Sequence, residues 1–174
     1  GRSIPLAGFS WSEAQVLANG LAPSPTDAAA MLRDIFDWTN GQPFLTQKLC
    51  RLISTITTGQ EASSQQSVNA IVQQHILDNW EAQDETEHLK TIAHRIIYHP
   101  YMGGRLLGIY QRILTEGRHR ADHSPEQLEL LLSGLVIEDR GHLWVKNPVY
   151  AAVFTPEWGS QQLEILLPYT ASFQ

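Results

Sequence analysis

The feature that most constrains the fold lies between Leu135 and Val145, where the spacing of the apolar residues changes. Before this point they recur every three or four positions, as on one face of an α-helix. Within it, Asp139-Arg140-Gly141 separates two short apolar runs, Val136-Ile137 and Leu143-Trp144-Val145. Alternation around a glycine-containing turn is typical of a β-hairpin. The sequence therefore predicts one hairpin after a long series of helices.

Three helices are predicted between residue 84 and this hairpin. The first has Asp84 at its start, and the second follows Gly103-Gly104, which we interpret as a flexible turn. The third starts at Ser124-Pro125, with Gln127 as the glutamine of a capping box. Four leucines are expected on one side of this third helix: Leu128, Leu131, Leu132 and Leu135. Helix, helix, helix and hairpin is the order of a winged helix, with the hairpin as the wing.

The first half of the chain predicts a small helical bundle. Its helices begin at Ser10, Ser24, Pro43 and Val68, and the last is expected to reach Trp80. A polar loop is predicted over 57–67, and the acidic run 81–87 is the expected domain boundary and hinge. The predicted division is a lid-like bundle at 1–82, a winged-helix domain at 83–169 and a tail at 170–174 that leads to a missing C-terminal region. A final amphipathic helix is expected over 157–167, ending at Pro168.

Composition excludes several classes of protein. The net charge of -6 argues against a general polyanion binder, so nucleic acid is not the expected partner. The single cysteine, Cys50, excludes an internal disulfide framework and a cysteine-cluster metal site, and we expect it to be buried in a helix. No apolar run of about 18 residues is present, so no membrane span is predicted. The N-terminus lacks the layout of a signal peptide, and a cytoplasmic location and a fragment of a larger protein are expected.

The motifs of common catalytic sites are missing from the sequence. It contains no Gly-x-x-x-x-Gly-Lys-Ser/Thr phosphate loop and no Gly-x-Ser-x-Gly nucleophile elbow. The pair His119 and His123 lies in a predicted loop that also holds Arg118 and Arg120, rather than on one helix face. We therefore predict no catalytic residues and no metal site, and we expect that the chain is not itself an enzyme.

A winged helix often binds DNA through its third helix. Here that helix reads Ser-Pro-Glu-Gln-Leu-Glu-Leu-Leu-Leu from Ser124, with two acidic residues and no lysine or arginine. A surface that faces phosphates needs the opposite charge. A DNA-binding winged-helix regulator is therefore the alternative hypothesis, and not the preferred one.

The stretch from Trp38 to Leu45 reads Trp-Thr-Asn-Gly-Gln-Pro-Phe-Leu. An Asn-Gly turn leads into Pro43, and proline fits a first helical position because its missing N–H would be unpaired there. From these residues alone, the turn is either a plain helix cap or a ligand contact.

Several motifs together resemble a known family. They are Trp38–Leu49, Asn79-Trp80-Glu81, Glu87–Ile92, Leu107–Tyr110, Leu132–Val136 and Asn147–Tyr150. They are similar to AAA-like ATPases of the STAND class (signal-transduction ATPases with numerous domains), in the form common in cyanobacteria. In that family a nucleotide-binding domain comes first, then a helical lid, a winged helix and a variable sensor or effector region. This chain matches the lid and the winged helix only.

The resemblance implies candidate cofactor-binding residues. Gly41-Gln42-Pro43 matches the Gly-x-Pro element of the lid, where the proline lies near the adenine. The end of the wing contacts a nucleotide phosphate in related switches, and Lys146 and Asn147 hold that place here. The histidine of the family is absent, and Asn147 is equally well explained as the cap before Pro148.

The expected function follows from this resemblance. It is a non-catalytic regulatory module that packs on a missing nucleotide-binding domain and relays its state to a downstream sensor or effector. The fragment would hold no cofactor, whereas the full-length parent would bind ATP or ADP with Mg²⁺. Oligomerisation of the parent stays open.

Overall fold

A computed structural model of the protein describes residues 8–18, 21–22, 24–59, 67–84 and 87–172. The chain is mainly α-helical with a small three-stranded antiparallel sheet, so the predicted fold class is confirmed. It forms two compact units, residues 1–80 with 147–149 and residues 81–146 with 150–174. The described residues leave out most of the predicted loop (60–66), residues 85–86 of the predicted hinge and the tail residues 173–174.

The helices of the first unit begin at the predicted caps. The hydroxyl of Ser10 accepts a hydrogen bond from the N–H of Glu13, whose carboxylate accepts one from the N–H of Ser10. This capping box starts α1 (Trp11–Ala14), which continues as a short 3-10 helix (Gln15–Ala18). Ser24 caps α2 (Pro25–Thr39) through the N–H of Asp27.

The core of the first unit lies between α2, α3 (Pro43–Gly59) and α4 (Val68–Val72), which pack against one another. Its buried side chains are Ala14, Leu21, Ala28, Leu32, Ile35, Leu45, Leu49, Cys50, Ile53, Val68, Ile71, Val72 and Ile76. The prediction of a loop from residue 57 is wrong for 57–59, because α3 continues to Gly59. Cys50 is buried in a helix, as predicted.

The predicted helix from Val68 to Trp80 is interrupted. A π-helical segment (Gln73–Leu77) follows α4, closed by a hydrogen bond from the N–H of Asp78 to the carbonyl of Gln73. Asn79 then adopts a left-handed conformation with φ of +50°, which asparagine tolerates better than most residues. A new short helix, α5 (Trp80–Gln83), follows. The apolar residues keep a helical spacing through this interruption. The spacing alone therefore could not reveal that the helix is broken.

The second unit has the predicted order of three helices and a hairpin. The helices are α6 (His88–Ile97), α7 (Gly103–Glu116) and α8 (Pro125–Ser133), and the hairpin strands are β2 (Val136–Asp139) and β3 (His142–Val145). Arg140 and Gly141 form its turn with φ of +52° and +78°. Two positive φ values in a two-residue turn match the right-handed twist of the flanking strands.

The predicted loop at Arg118–Arg120 contains a strand. β1 (His119–Arg120) pairs antiparallel with β3, giving the strand order β1-β3-β2. Two residues are too few to show an alternation of apolar and polar side chains, so the sequence could not predict this strand. Its extended conformation is explained by its pairing with the edge of β3.

Gly103 and Gly104 do not form the predicted flexible turn, because both belong to the first turn of α7. Gly103 is buried, and a Cβ atom there would lie 2.8 Å from the carbonyl oxygen of Ile97. The glycine therefore permits a close approach of two helix ends.

The predicted leucine side of α8 is also wrong in part. Leu130 and Leu135 are fully buried, whereas Leu128 and Leu132 are 54% and 53% exposed. The buried side of α8 instead includes Gln127, which is 1% exposed. Because four of nine residues in this helix are leucine, the apolar spacing did not distinguish one side from another.

α9 (Pro148–Val153) starts at Pro148 as predicted, and α10 (Pro156–Ser172) packs against α7. α10 passes the expected end at Pro168, since a proline removes one helical hydrogen bond without always ending a helix. The hydroxyl of Tyr110 donates to the carbonyl of Phe154 at 2.7 Å in the core of this unit. None of the helices in the described ranges combines the length and apolar character that crossing a bilayer requires.

Candidate functional site at the Gly41–Pro43 turn

The turn between α2 and α3 is fixed by backbone hydrogen bonds. Asn40 is left-handed, with φ of 48°, and its N–H donates to the carbonyl of Phe36 at 2.8 Å. Gly41 follows with φ of +79°. The N–H of Gln42 donates to the carbonyl of Thr39 at 2.9 Å. Two consecutive left-handed residues reverse the chain within a few atoms, and glycine adopts this conformation without a steric cost.

Two buried threonines hold the turn from inside. The hydroxyl oxygens of Thr39 and Thr46 lie 2.9 Å apart, and both residues are fully buried. The Thr39 hydroxyl also accepts a hydrogen bond from the N–H of Gly41 at 3.1 Å. Thr46 thus lies on the buried side of α3, where its hydroxyl has a partner. The pair connects the end of α2 directly to the first turn of α3.

The backbone of Gly8 and Phe9 lies against Gly41. The N–H of Phe9 donates to the Gly41 carbonyl at 2.7 Å. A Cβ atom on Gly41 would lie 2.5 Å from the carbonyl oxygen of Phe9, and one on Gly8 would lie 2.7 Å from the carbonyl oxygen of Gly41. The two glycines therefore allow two backbones to cross at a distance that no side chain would permit.

Gln42 has a structural role at the start of α3. Its side-chain oxygen accepts a hydrogen bond from the N–H of Leu45 at 2.7 Å, which satisfies one of the unpaired donors of the first helical turn. Pro43 is the first residue of α3, as predicted. Pro43 and Phe44 are half-buried. Within Gly41–Pro43, the proline ring is therefore the part that can meet a ligand, since the Gly41 carbonyl and the Gln42 side-chain oxygen have partners.

The other candidate residues lie at the end of the wing. The N–H of Lys146 donates to the carbonyl of Leu135 at 2.9 Å, which closes the hairpin on the end of α8. Lys146 is half-buried, and Asn147 is 2% exposed, directly before Pro148. A side chain as buried as that of Asn147 stabilises the start of α9 more readily than it meets a ligand from solvent.

The structure brings Gly41, Gln42 and Pro43 together in one turn, and Lys146 and Asn147 in another segment. Four further residues that form the turn were not predicted from the sequence: Gly8, Phe9, Thr39 and Thr46. The two threonines bracket the turn with a spacing of seven residues. That spacing could have suggested a hydroxyl pair, whereas nothing local indicated the contact of Gly8 with Gly41.

No group of three histidine, cysteine, aspartate or glutamate side chains suited to a metal ion occurs among the described residues. The hydroxyl and amide groups around the turn satisfy one another, and the described part of the turn contains no acid and base pair. What this turn offers a ligand is therefore the half-buried apolar ring of Pro43.

Comparison with known proteins gives one informative match. The chain is 38% identical over 179 aligned residues to an uncharacterized WD repeat-containing protein of the cyanobacterium Synechocystis sp.. The match covers the whole of this chain and 15% of that relative, so the chain corresponds to a small part of a long protein. No family model matches the chain, and no solved structure matches it either.

Proposed function

We propose that this chain is the lid and winged-helix part of a STAND-class signalling ATPase. In this proposal it has no catalytic activity of its own. It packs on an upstream nucleotide-binding domain in the parent protein and relays the bound ATP or ADP, with Mg²⁺, to a downstream sensor or effector. The parent would act in the cytoplasm.

The observation that carries the proposal is the outer side of α8. This helix holds the position that reads DNA in many winged helices. It exposes Leu128 and Leu132 there, has no lysine or arginine, and carries Glu126 and Glu129. Exposed leucines beside carboxylates suit a protein surface, whereas a DNA-facing helix needs cations. The winged helix therefore favours contact with another protein domain.

The relative adds support of a different kind. It is described as containing WD repeats, and it is several times longer than the matched region. WD repeats form propellers with broad binding surfaces. A long chain that combines such repeats with a helical bundle and a winged helix would suit a STAND protein with a propeller as its sensor.

The Gly41–Pro43 turn would supply the nucleotide contact. Pro43 offers an apolar ring without an N–H, which can lie against an adenine face. The bonds from Thr39, Phe9 and Gln42 would hold that ring in one position, so the turn would be preorganised before the nucleotide binds.

The test uses the full-length parent with Pro43→Ala and the matched control Pro25→Ala. Both prolines occupy the first position of a helix in the same unit, so a general effect of losing such a proline is the same in both variants. We expect Pro43→Ala to release bound nucleotide about fivefold to tenfold faster, corresponding to roughly 1 kcal/mol of lost apolar contact. Release is measured with a fluorescent ADP analogue. Equal rates for wild-type and both variants would remove the turn from the nucleotide site.

The DNA-binding alternative has its own measurement. It predicts that the isolated chain retards duplex DNA at low salt and that the affinity falls steeply as salt rises. Under the STAND proposal no duplex is retarded. Salt-dependent retardation that is lost in an Arg118→Ala, Arg120→Ala double variant would favour the DNA-binding function.

A further inference from the structure

A cleft of about 430 Å³ lies in the second unit between α7, β1 and the start of α8. One wall is a single face of α7, formed by Arg105, Gly108, Ile109 and Arg112. The rest of the lining comes from β1, from the segment that leads into α8 and from the first turn of α8, including His119, Asp122 and Gln127. The volume is in the range of small-molecule sites. Neither the turn at Gly41 nor the end of the wing takes part in it.

Gly108 is the first indication that the cleft holds a ligand. It lies in the middle of α7, where glycine is less favourable than alanine. A Cβ atom at this position would meet nothing within 4 Å. No close approach by the chain itself therefore requires a glycine there. A glycine in the floor of the cleft leaves space and exposes backbone, which is useful when another molecule lies against it.

The charges of the cleft give the second indication. Arg105 and Glu126 neutralise each other through a salt bridge of 3.0 Å. Arg112 forms no ion pair with any described residue, and neither does Asp122. The cleft thus presents the guanidinium of Arg112 and the carboxylate of Asp122 without a salt bridge, and His119, which also lines the cleft, interacts electrostatically with Asp122. A complementary ligand carries an anionic and a cationic group together.

The wall that holds Asp122 is rigid. The side chain of Gln127, which is 1% exposed, accepts a hydrogen bond from the N–H of Asp122 and donates one to the carbonyl of Arg120. The carboxylate of Asp122 accepts a hydrogen bond from the N–H of Ser124 at 2.9 Å. Hydrogen bonds from Ser124 lower the pKa of Asp122, so this carboxylate is ionised at neutral pH. A fixed, ionised carboxylate is suited to an ammonium group.

We propose that this cleft binds a free α-amino acid or a zwitterion of the same size. The carboxylate of the ligand pairs with Arg112, its ammonium group pairs with Asp122, and its side chain lies over Gly108 and Ile109. Carboxylate and guanidinium groups have matching fork geometries, which favours such a pair. This inference does not rest on the STAND proposal, because it uses the contacts of the second unit alone.

The experiment is a titration of the ¹⁵N-labelled chain with each common α-amino acid, followed by amide chemical shifts. We expect at least one amino acid to shift the amides of Gly108 and Asp122 in a saturable way. The matching amine without the carboxylate, and the matching acid without the amine, should each bind at least tenfold more weakly. If the acid binds as tightly as the amino acid, the zwitterion proposal is wrong. If no amino acid shifts these amides, it is also wrong.

Variants locate the site. Arg112→Gln and Asp122→Asn should each weaken binding about tenfold, whereas Arg95→Gln on the exposed surface of α6 should not. Gly108→Leu fills the cleft and should abolish binding, since open space lies above this position. If Gly108→Leu does not fold, Gly108→Ala replaces it, with an expected reduction of at least threefold. Unchanged affinity in a folded Gly108 variant would place the binding elsewhere and overturn the proposal.

Discussion

At the scale of single residues, Gly41 carries two separate constraints. Its φ of +79° disfavours any side chain, and the Phe9 carbonyl occupies the space that a Cβ atom would need. Gly117 shares the first constraint with φ of +85° but has nothing within 4 Å of its Cβ position. Comparing substitutions at the two glycines therefore distinguishes the energetic cost of a left-handed backbone from the cost of a steric clash.

We expect Gly41→Ala to lower the free energy of unfolding of the first unit by about 2–4 kcal/mol. The left-handed conformation contributes about 1–2 kcal/mol and the collision with the Phe9 backbone the rest. Gly117→Ala should cost only about 1–2 kcal/mol in the second unit. Urea titration with hydrogen exchange measured separately in each unit gives both values. Equal costs would mean that the segment at Phe9 moves away easily.

Cys50 gives a prediction about pH. Burial raises the pKa of its thiol from 9.0 to about 11. Between these values the unfolded chain has lost the proton while the folded chain keeps it, so stability is fully present below pH 9 and falls as the pH rises towards 11. Burial also raises the pKa of Tyr110, which adds loss in the same direction.

The measurement compares wild-type with Cys50→Ala. The free energy of unfolding of the wild-type chain should fall more steeply between pH 9 and 11 than that of the variant, since Tyr110 contributes equally to both. A thiol reagent should label Cys50 at neutral pH only after denaturant is added. Parallel pH curves would show that the thiol ionises without unfolding.

At the scale of elements, the sequence predicted where helices start, but it did not predict which side of a helix is buried. Ser10, Ser24 and Ser124 cap their helices through donors three residues away, so the information is local. Gln127 was expected to complete a capping box, but its side chain bonds to Asp122 and Arg120. These hydrogen bonds depend on the position of the loop before α8. The spacing of residues within the helix carries no information about that position.

α8 shows the same limit for burial, and it can be tested within one helix. Leu130 is fully buried and Leu132 is 53% exposed. We expect Leu130→Ala to cost about 2–5 kcal/mol, because it leaves a cavity in the core. Leu132→Ala should cost about 0.5 kcal/mol or less. Thermal unfolding of the two variants measures both losses of stability. If Leu132→Ala destabilises the chain more than Leu130→Ala does, the buried side of α8 is the one predicted from the sequence.

At the scale of the whole molecule, the described part of the predicted hinge, 81–84 and 87, takes part in the structure of the second unit. The sequence predicted an acidic hinge over 81–87, since charged residues without apolar neighbours favour a loop. Asp84 in this run is only 3% exposed, and its carboxylate accepts a hydrogen bond from the N–H of Lys90 at 2.8 Å. Its carbonyl accepts another from the N–H of Glu87. In the sequence, an aspartate that accepts a hydrogen bond from the next helix cannot be distinguished from a charged residue of a linker.

Asp84→Ala should therefore loosen the start of the second unit. We expect a loss of about 1 kcal/mol, as for other helix caps, with faster hydrogen exchange at the Lys90 amide. Asp84→Asn keeps an oxygen acceptor and should retain most of the protection. Hydrogen exchange followed by mass spectrometry measures both. If the Lys90 amide exchanges equally fast in all three chains, the cap does not stabilise this junction.

The crossing of Gly8 and Gly41 also determines where mechanical force would act. A pull on the chain ahead of Gly8 meets the hydrogen bond from Phe9 to Gly41 before it reaches α1. The load is therefore delivered first to the connection between α2 and α3, about thirty residues further along the sequence. Motion of the chain that precedes Gly8 would therefore reach Gly41 first, through this hydrogen bond. The two glycines would act as a point of attachment through which tension reaches the turn.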